Sequence, residues 1–396
     1  MTTDIYKFKD PLSYAQISLD ELKNGSQGIW LDPPGKPVTR LRNPPSFHDS
    51  SNYAYKILPT LMQKVPITYP PVFTLAINQV ILAGYRAVLH SKGTFCLDES
   101  YLDEASCRQA LDRLSALDSF NNEETGLVRI ANDFSFRFEL GKRKVIDGIP
   151  LAIVLCSTEP SNYGSFLFRI LPKLQTMRKL GIQAPIIAPV FTTSMEEYFK
   201  LCGIDSNQII RHDPNIVYQF NRAILISLRN NQAYLDDGSL ALYTQLREKY
   251  GLSSSGRKLY ITRHNSGINS YAASHRVMMN EPELIGALKA YGFEIIEPSQ
   301  LNAIEQIKLF SSAGLILGAS GSAMFNSVFC HPGTKLIDIE SEPHWIHAHM
   351  CLFGSLGLKY GIFEATPSNL DFSIAHKPYN VNIVALMKRI SQFDRS

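Results

Sequence analysis

Leu315-Ile-Leu-Gly-Ala-Ser-Gly-Ser-Ala-Met-Phe-Asn-Ser-Val-Phe329 is the stretch on which the reading of this chain turns. A short apolar run breaks at small residues and resumes with helical spacing: strand, tight turn, helix. The same alternation surrounds it. Residues 259–262, 293–296, 315–317 and 335–339 are β-rich runs, and 281–291, 303–312 and 323–329 have helical patterning. Strands alternating with short helices predict βαβ units and a parallel sheet covered on both faces. In such a sheet ligands bind beyond the carboxyl ends of the strands.

The turn Gly318-Ala-Ser-Gly-Ser-Ala323 falls at such an end. Small side chains there would let a phosphate reach free backbone N–H groups, and a helix start favours negative charge. Arg263, just past the 259–262 run, would project over the same edge as a second phosphate partner. The competing reading is a tight turn that needs glycine for its backbone alone.

Composition excludes several function classes. The 396 residues are ample for two to three domains, and 45% hydrophobic with 19% charged residues is ordinary for a globular protein. A net charge of +3 without basic runs argues against a nucleic-acid partner. The N-terminus lacks an apolar secretory core, and the longest apolar runs are too short to span a bilayer. The expected setting is therefore cytoplasmic, compatible with peripheral association at the inner face of a membrane. Cys96, Cys107, Cys156, Cys202, Cys330 and Cys351 form no CxxC pair and read as reduced core thiols.

Residues 1–65 are rich in Pro, Ser and Asn and read as an irregular wrap. Residues 73–88, 93–97 and 127–140 read as antiparallel strands, interrupted by a charged helix at 101–117. A buried strand at 149–156 then runs into the polar turn 157–164 and a helix over 165–181. Phe166, Phe168, Ile170, Leu171, Leu174, Met177 and Leu180 form its apolar stripe; Arg169, Lys173, Arg178 and Lys179 should face out, and Pro172 should kink it. Strands at 185–190, 208–211 and 223–226 with helices at 194–201 and 236–250 complete an α/β half. Gly251-Leu-Ser-Ser-Ser-Gly256 reads as a hinge, which divides the chain into 1–255 and 256–396, the last helix packing back on the N-terminal part.

Three groups of residues carry a family resemblance. Asn162-Tyr-Gly-Ser-Phe-Leu-Phe-Arg-Ile-Leu-Pro-Lys-Leu174 resembles the "NYGH-(F/W)-L…LP-R-L" segment of glycosyltransferase family 61. Ile261-Thr-Arg263, Arg276 and Asn280-Glu281 resemble its "SR…R…NE" segment. Tyr291-Gly-Phe-Glu-Ile-Ile-Glu-Pro298, Glu305-Gln306 and Gly318 to Asn326 resemble "YGF…EQ…G-x-HGAGLTN". The resemblance covers about residues 150–365.

It implies an α/β, GT-B-like fold of two Rossmann-like domains facing across a cleft, and inverting transfer from a nucleotide-sugar, a UDP-sugar by preference, to a hydroxyl of a glycan or lipid-linked glycan in surface-polysaccharide synthesis. Arg263 and the backbone of Gly321, Ser322 and Ala323 would hold the donor diphosphate, with Ser320 and Asn326 in the same turn. They would neutralise charge growing on the leaving group. Arg276, Asn280 and Glu281 would shape the nucleotide side, with helix capping as the alternative for Glu281. Glu305 and Gln306 would support them or face solvent. Asn162, Tyr163 and Ser165 would stand on the acceptor side. No cofactor or metal beyond the donor is implied.

The chain departs from the pattern twice: Ser165 and Ser320 stand where the family has histidine. Serine does not replace imidazole as a base near neutral pH. Glu159, in the same turn as Ser165, is the candidate base if a dehydrated cleft raises its pKa, with Asp133 behind it. An exposed turn residue is the plainer reading of Glu159. The two serines also allow an alternative function, a catalytically impaired sugar-nucleotide-binding or polysaccharide-assembly protein.

Other patterns carry less. Gly318-x-Ser320-x-Ser322 falls one glycine short of a nucleophile elbow and shows no clear acid and histidine behind it. His331, His344, His347 and His349 do not share a helix face and read as surface or capping residues. Asp236-Asp237 reads as a helix cap rather than a metal-binding pair.

Overall fold

The computed structural model describes residues 5–49, 62–90, 93–112, 127–131, 135–138, 143–230, 233–262, 277–341, 343–368 and 377–396. It is mixed α/β and divides into two compact units. One comprises Met1–Thr39 and Thr68–Asn231, the other Arg40–Ile67 and Gln232–Ser396.

The second unit holds a six-stranded parallel sheet in the order Glu294–Ile296, Arg257–Ile261, Ala313–Ala319, Lys335–Glu340, Lys359–Glu364, Phe47–Asp49. Runs such as Leu315-Ile-Leu317 and Leu336-Ile337 have no polar face because helices cover both sides. The Glu281–Ala290 and Ala303–Ser312 helices fall where apolar periodicity places them, and Asn302 with Glu305 forms a capping box on the latter. Leu315, Leu317, Ile337 and Ile339 pack with Leu284, Leu288 and Phe47 in one core.

Three expectations about this unit are corrected. The boundary falls between 231 and 232, not near 255. The Asp237–Tyr250 helix belongs to the second unit, where Tyr243 packs edge-on against Phe329 at 5.5 Å and Arg247 donates to the Cys330 carbonyl. Residues 251–256 are no hinge: Leu252 N–H donates to Ser311 Oγ, and the Ser254 and Ser255 hydroxyls donate to the carbonyls of Ala313 and Ser312. The serines that suggest flexibility are used as anchors. The last helix, Ile383–Arg395, buries Leu386, Ile390 and Phe393 in the second unit's core, where Phe393 packs edge-on against Phe47 of the N-terminal stretch at 5.1 Å.

The first unit is organised on a twelve-stranded mixed sheet. Its parallel part runs Ile209–Arg211, Ile186–Ala188, Ala152–Val154, Ile216–Ile226, with Lys144–Ile149 alongside the last. Phe73–Ala83 pairs antiparallel with Ile216–Ile226 and continues into Ala87–His90 and Thr94–Cys96, the strand group expected from sequence. The described parts of residues 1–65 are not a loose wrap. Ile5–Phe8 and Gly28–Leu31 are strands of this sheet, and Phe47–Asp49 is the edge strand of the other.

The helix expected over 165–181 is broken. Tyr163–Ser165 leads into a π-helical turn, Phe166–Ile170, where Leu171 N–H donates to the Phe166 carbonyl, and Lys173–Leu180 follows. Pro172 has no N–H to give the preceding turn, and the wider turn takes up that break. Lys173 does not face out. It is fully buried, and its Nζ donates to Asp98 Oδ2 at 2.9 Å and to the Cys156 carbonyl at 2.8 Å.

Candidate functional site

The Gly318 turn lies at the carboxyl edge of the second unit's sheet. Ile261 is the register partner of Gly318, so the first strand leaves the sheet beside the turn. A Cβ on Gly318 would meet Met324 Sδ at 2.5 Å and Ile261 Cβ at 3.0 Å. That glycine is required for packing. Ser320 N–H is spent on the Ile339 carbonyl. Gly321, Ser322 and Ala323 are half-buried while their neighbours on both sides are buried, so these three reach the surface. The helix that follows, Ser322–Phe329, is a 3-10 helix rather than the α-helix expected, and no side chain caps its start at Gly321. Small residues, a surface-reaching backbone and an uncapped helix start give an anion-compatible corner.

The other expected donor residues are placed as follows. Arg263 and Arg276 lie outside the described residues, as does Asp133. Thr262, one residue before Arg263, donates its hydroxyl to Glu281 Oε1 at 2.8 Å, and Tyr260 Oη donates to the same oxygen at 2.8 Å. Glu281 is thus a buried brace under the strand exit and neither a cap nor a surface partner. The Asn280 amide is exchanged with the backbone of Val381, donating to its carbonyl and accepting from its N–H. Gln306 is buried and donates to the carbonyls of Pro298 and Leu301. Asn326 is buried and donates to the Ala323 carbonyl at 3.2 Å, bracing the turn from behind. Glu305 is an exposed capping residue. The turn itself is brought together; Asn280, Gln306 and Glu281 are spent on scaffolding.

A cluster that the sequence reading missed stands beneath the turn. His349 Nδ1 lies 2.9 Å from Ser320 Oγ and 2.8 Å from Asp338 Oδ2, and all three residues are buried. The imidazole is wedged between Phe325, at 5.3 Å, and Phe353, at 5.6 Å. Ser, Asp and His follow in the chain order of an elbow hydrolase, yet the geometry is not that of a relay. A relay uses both ring nitrogens, one toward serine and one toward the acid. Here both contacts fall on Nδ1. The surface reading of the histidines fits half-buried His331, whose Nε2 meets the Leu252 carbonyl, and fails for His349. The missed signal was Asp338 itself: a charged residue inside the apolar run Leu336 to Ile339 asks for a buried partner.

In the first unit the expected acceptor-side residues share one turn. Asn162 caps the Tyr163–Ser165 turn by accepting from Ser165 N–H, and Ser165 Oγ donates to Glu159 Oε2 at 2.7 Å. Tyr163 Oη donates to Tyr198 Oη at 3.3 Å. Glu159 holds φ of 49°, a left-handed conformation that costs a side-chain-bearing residue energy and tends to mark function. It is exposed, so burial by its own unit does not dehydrate it as expected.

Behind this turn stands an ionic cluster. Asp98 receives Lys173 Nζ and Arg86 Nη1, and Glu99 receives Arg86 and Arg169. Burial alone would push the Asp98 carboxyl up; Lys173 and Arg86 outweigh it and hold the carboxyl at about 2.

Asp236 caps its helix by accepting from Ser239 N–H, and Asp237 pairs with Arg40, so this acidic pair serves the fold. Among the described residues no group of three His, Cys, Asp or Glu side chains is placed to hold a metal, and no helix is long and apolar enough to cross a membrane. The six cysteines are free thiols, all but Cys107 buried.

Comparison with curated proteins finds no match. Residues 163–337, from the Tyr163 turn into the Lys335–Glu340 strand, match the family model Glycosyltransferase 61, and this match supports a glycosyltransferase.

Proposed function

We propose that the chain is an inverting GT-B-type glycosyltransferase. It moves a sugar from a nucleotide-sugar, a UDP-sugar by preference, to a glycan or lipid-linked glycan hydroxyl in surface-polysaccharide synthesis at the cytoplasmic side of a membrane. One observation carries this beyond the family match: the turn at 321–323 reaches the surface at the carboxyl edge of an all-parallel sheet, where a helix starts uncapped. A diphosphate there accepts from backbone N–H groups, and Arg263, two residues past the partner of Gly318, adds a fixed positive charge.

The chemistry is a displacement at the anomeric carbon. The acceptor oxygen forms the new bond, the bond from that carbon to the diphosphate oxygen breaks, and the leaving diphosphate keeps the electron pair. The acceptor proton needs a base. Glu159 takes that part, aimed by its left-handed backbone and by Ser165. Ser165, Asn162 and Tyr163 form the acceptor-side turn.

Calorimetric titration with UDP, GDP and CDP, followed by donor-hydrolysis assays, tests the reading. Binding of one nucleotide that weakens at least tenfold in Arg263→Ala is expected. Unchanged affinity in that variant removes the phosphate assignment. A second reading, a sugar-nucleotide binder without turnover, is favoured by the exposure of Glu159 and by serine at positions 165 and 320. Tight donor binding with no hydrolysis or transfer across a broad acceptor panel would select it.

A further inference from the structure

The buried Ser320–His349–Asp338 cluster has no part in the reading above. An ionised carboxylate only accepts hydrogen bonds, so with Asp338 ionised the proton sits on His349 Nδ1. The same N–H is then shared with Ser320 Oγ, at 2.9 Å, in a three-centre bond, and the nitrogen cannot serve Ser320 as a base. The imidazole is also fixed in position, with Phe325 and Phe353 edge-on around it. Asp338 is fully buried, and its Oδ1 has no hydrogen-bond partner among the described residues. A buried carboxylate–imidazole pair gives a core less than an apolar pair of the same volume would, which points to a purpose other than stability.

Its place supplies the purpose. His349 reaches the turn from the Pro343–Ser355 helix and touches Ser320, the residue just before the three that reach the surface. Ser320 stands where the family pattern has histidine, so an imidazole arrives at this turn through space from position 349.

We propose that His349, held by Asp338, is a positioning residue for the donor turn: its Nδ1–H fixes Ser320 Oγ and thereby the 321–323 backbone that receives the diphosphate of a nucleoside diphosphate. The proposal rests on the donor-site reading of that turn. His349 does not touch the donor; it acts through Ser320.

The test is calorimetric titration of the full chain with UDP and GDP. His349→Ala should weaken binding about tenfold, the loss of one hydrogen bond's worth of order. His349→Asn places an amide N–H close to the lost Nδ1–H and should recover most of the affinity, whereas His349→Gln, whose amide reaches toward the Nε2 position, should not. A residue that merely filled space would not separate Asn from Gln. If neither nucleotide binds the unmodified protein at millimolar concentration, the donor reading fails and this one with it. If a nucleotide binds and His349→Ala binds it equally, only the positioning role is overturned. Should His349→Ala fail to fold, nitrogen-15 histidine spectra of the unmodified protein decide: the His349 ring resonances must shift on saturation with the nucleotide, and unmoved resonances overturn the role.

Discussion

The two strand-end turns of this molecule are held by opposite means. In the first unit, the turn after Ala152–Val154 is backed by buried charge: Lys173 ties Asp98 to the Cys156 carbonyl, and Arg86 and Arg169 extend the cluster through Glu99. In the second, the turn after Ala313–Ala319 is held by close packing at Gly318, by Asn326 from behind and by the His349 ring. A turn backed by ion pairs depends on every charge keeping its partner. A turn backed by packing depends on volume. The same kind of loop is therefore vulnerable to different substitutions in each unit.

The largest expected effect lies in the first. Asp98→Ala leaves Lys173 buried without its carboxylate, while Arg86 keeps Glu99, and breaking a buried pair from one side costs about 3–5 kcal/mol. Lys173→Met in the same background should return part of that loss by removing the stranded charge. Urea denaturation of the single and double variants measures both; equal losses would mean that the pair is not coupled and that the turn is backed by packing after all.

Acid should expose the same unit. Below pH 3.8 the unfolded chain protonates Asp98, while the folded carboxyl, at about 2, does not, so its contribution is complete above 3.8 and is lost as pH falls toward 2. Burial lowers His212 from 6.5 to about 4, and between those values the unfolded state alone takes up the proton. Stability should fall from pH 6.5 to 4 on that account. His212→Phe should flatten denaturation midpoints over that window; an unchanged slope would place the acid sensitivity elsewhere.

The second unit answers to volume. Gly318→Ala drives a Cβ against Met324 Sδ at 2.5 Å and Ile261 Cβ at 3.0 Å, an overpacking cost of about 1–3 kcal/mol. Nucleotide affinity should drop with it, because Met324 and the 321–323 backbone must shift. Retained stability and affinity would show that the corner has slack.

The contrast also explains what could be read from the chain. The second unit's strands and helices follow local rules, and Glu281–Ala290, Ala303–Ser312 and Lys335–Glu340 stand close to where periodicity and capping put them. Phe47–Asp49 escaped because its sheet partner, Lys359–Glu364, is hundreds of residues away and three residues carry no period. Lys173 was misplaced because helical spacing reports a face, and only the tertiary partner Asp98 tells a buried lysine from a solvated one. At the Gly318 turn, the small residues were visible, but the division of labour was not. Asn326 and Gln306 spend their amides on backbone carbonyls, and His349 joins Ser320 across 29 residues. Such pairings are decided by packing, to which spacing along the chain is blind.

The smallest expected effect concerns Glu159, and it separates strain from chemistry. A side chain at φ of 49° costs about 1–2 kcal/mol relative to the right-handed regions, while glycine there gives back about 0.5–1 kcal/mol in unfolded-state entropy. Glu159→Gly also gives up the bond from the buried Ser165 Oγ, worth about 0.5–1.5 kcal/mol. The gain and the two losses nearly cancel, and the net change in stability should lie within about 1 kcal/mol of zero. Glu159→Gln keeps the backbone strain and the Ser165 contact but cannot accept a proton at working pH. If the strain is retained to aim a base, both variants lose transfer while stability hardly moves. Full transfer by Glu159→Gln would make the left-handed residue a feature of the loop alone, and the acceptor proton would have to leave by another group.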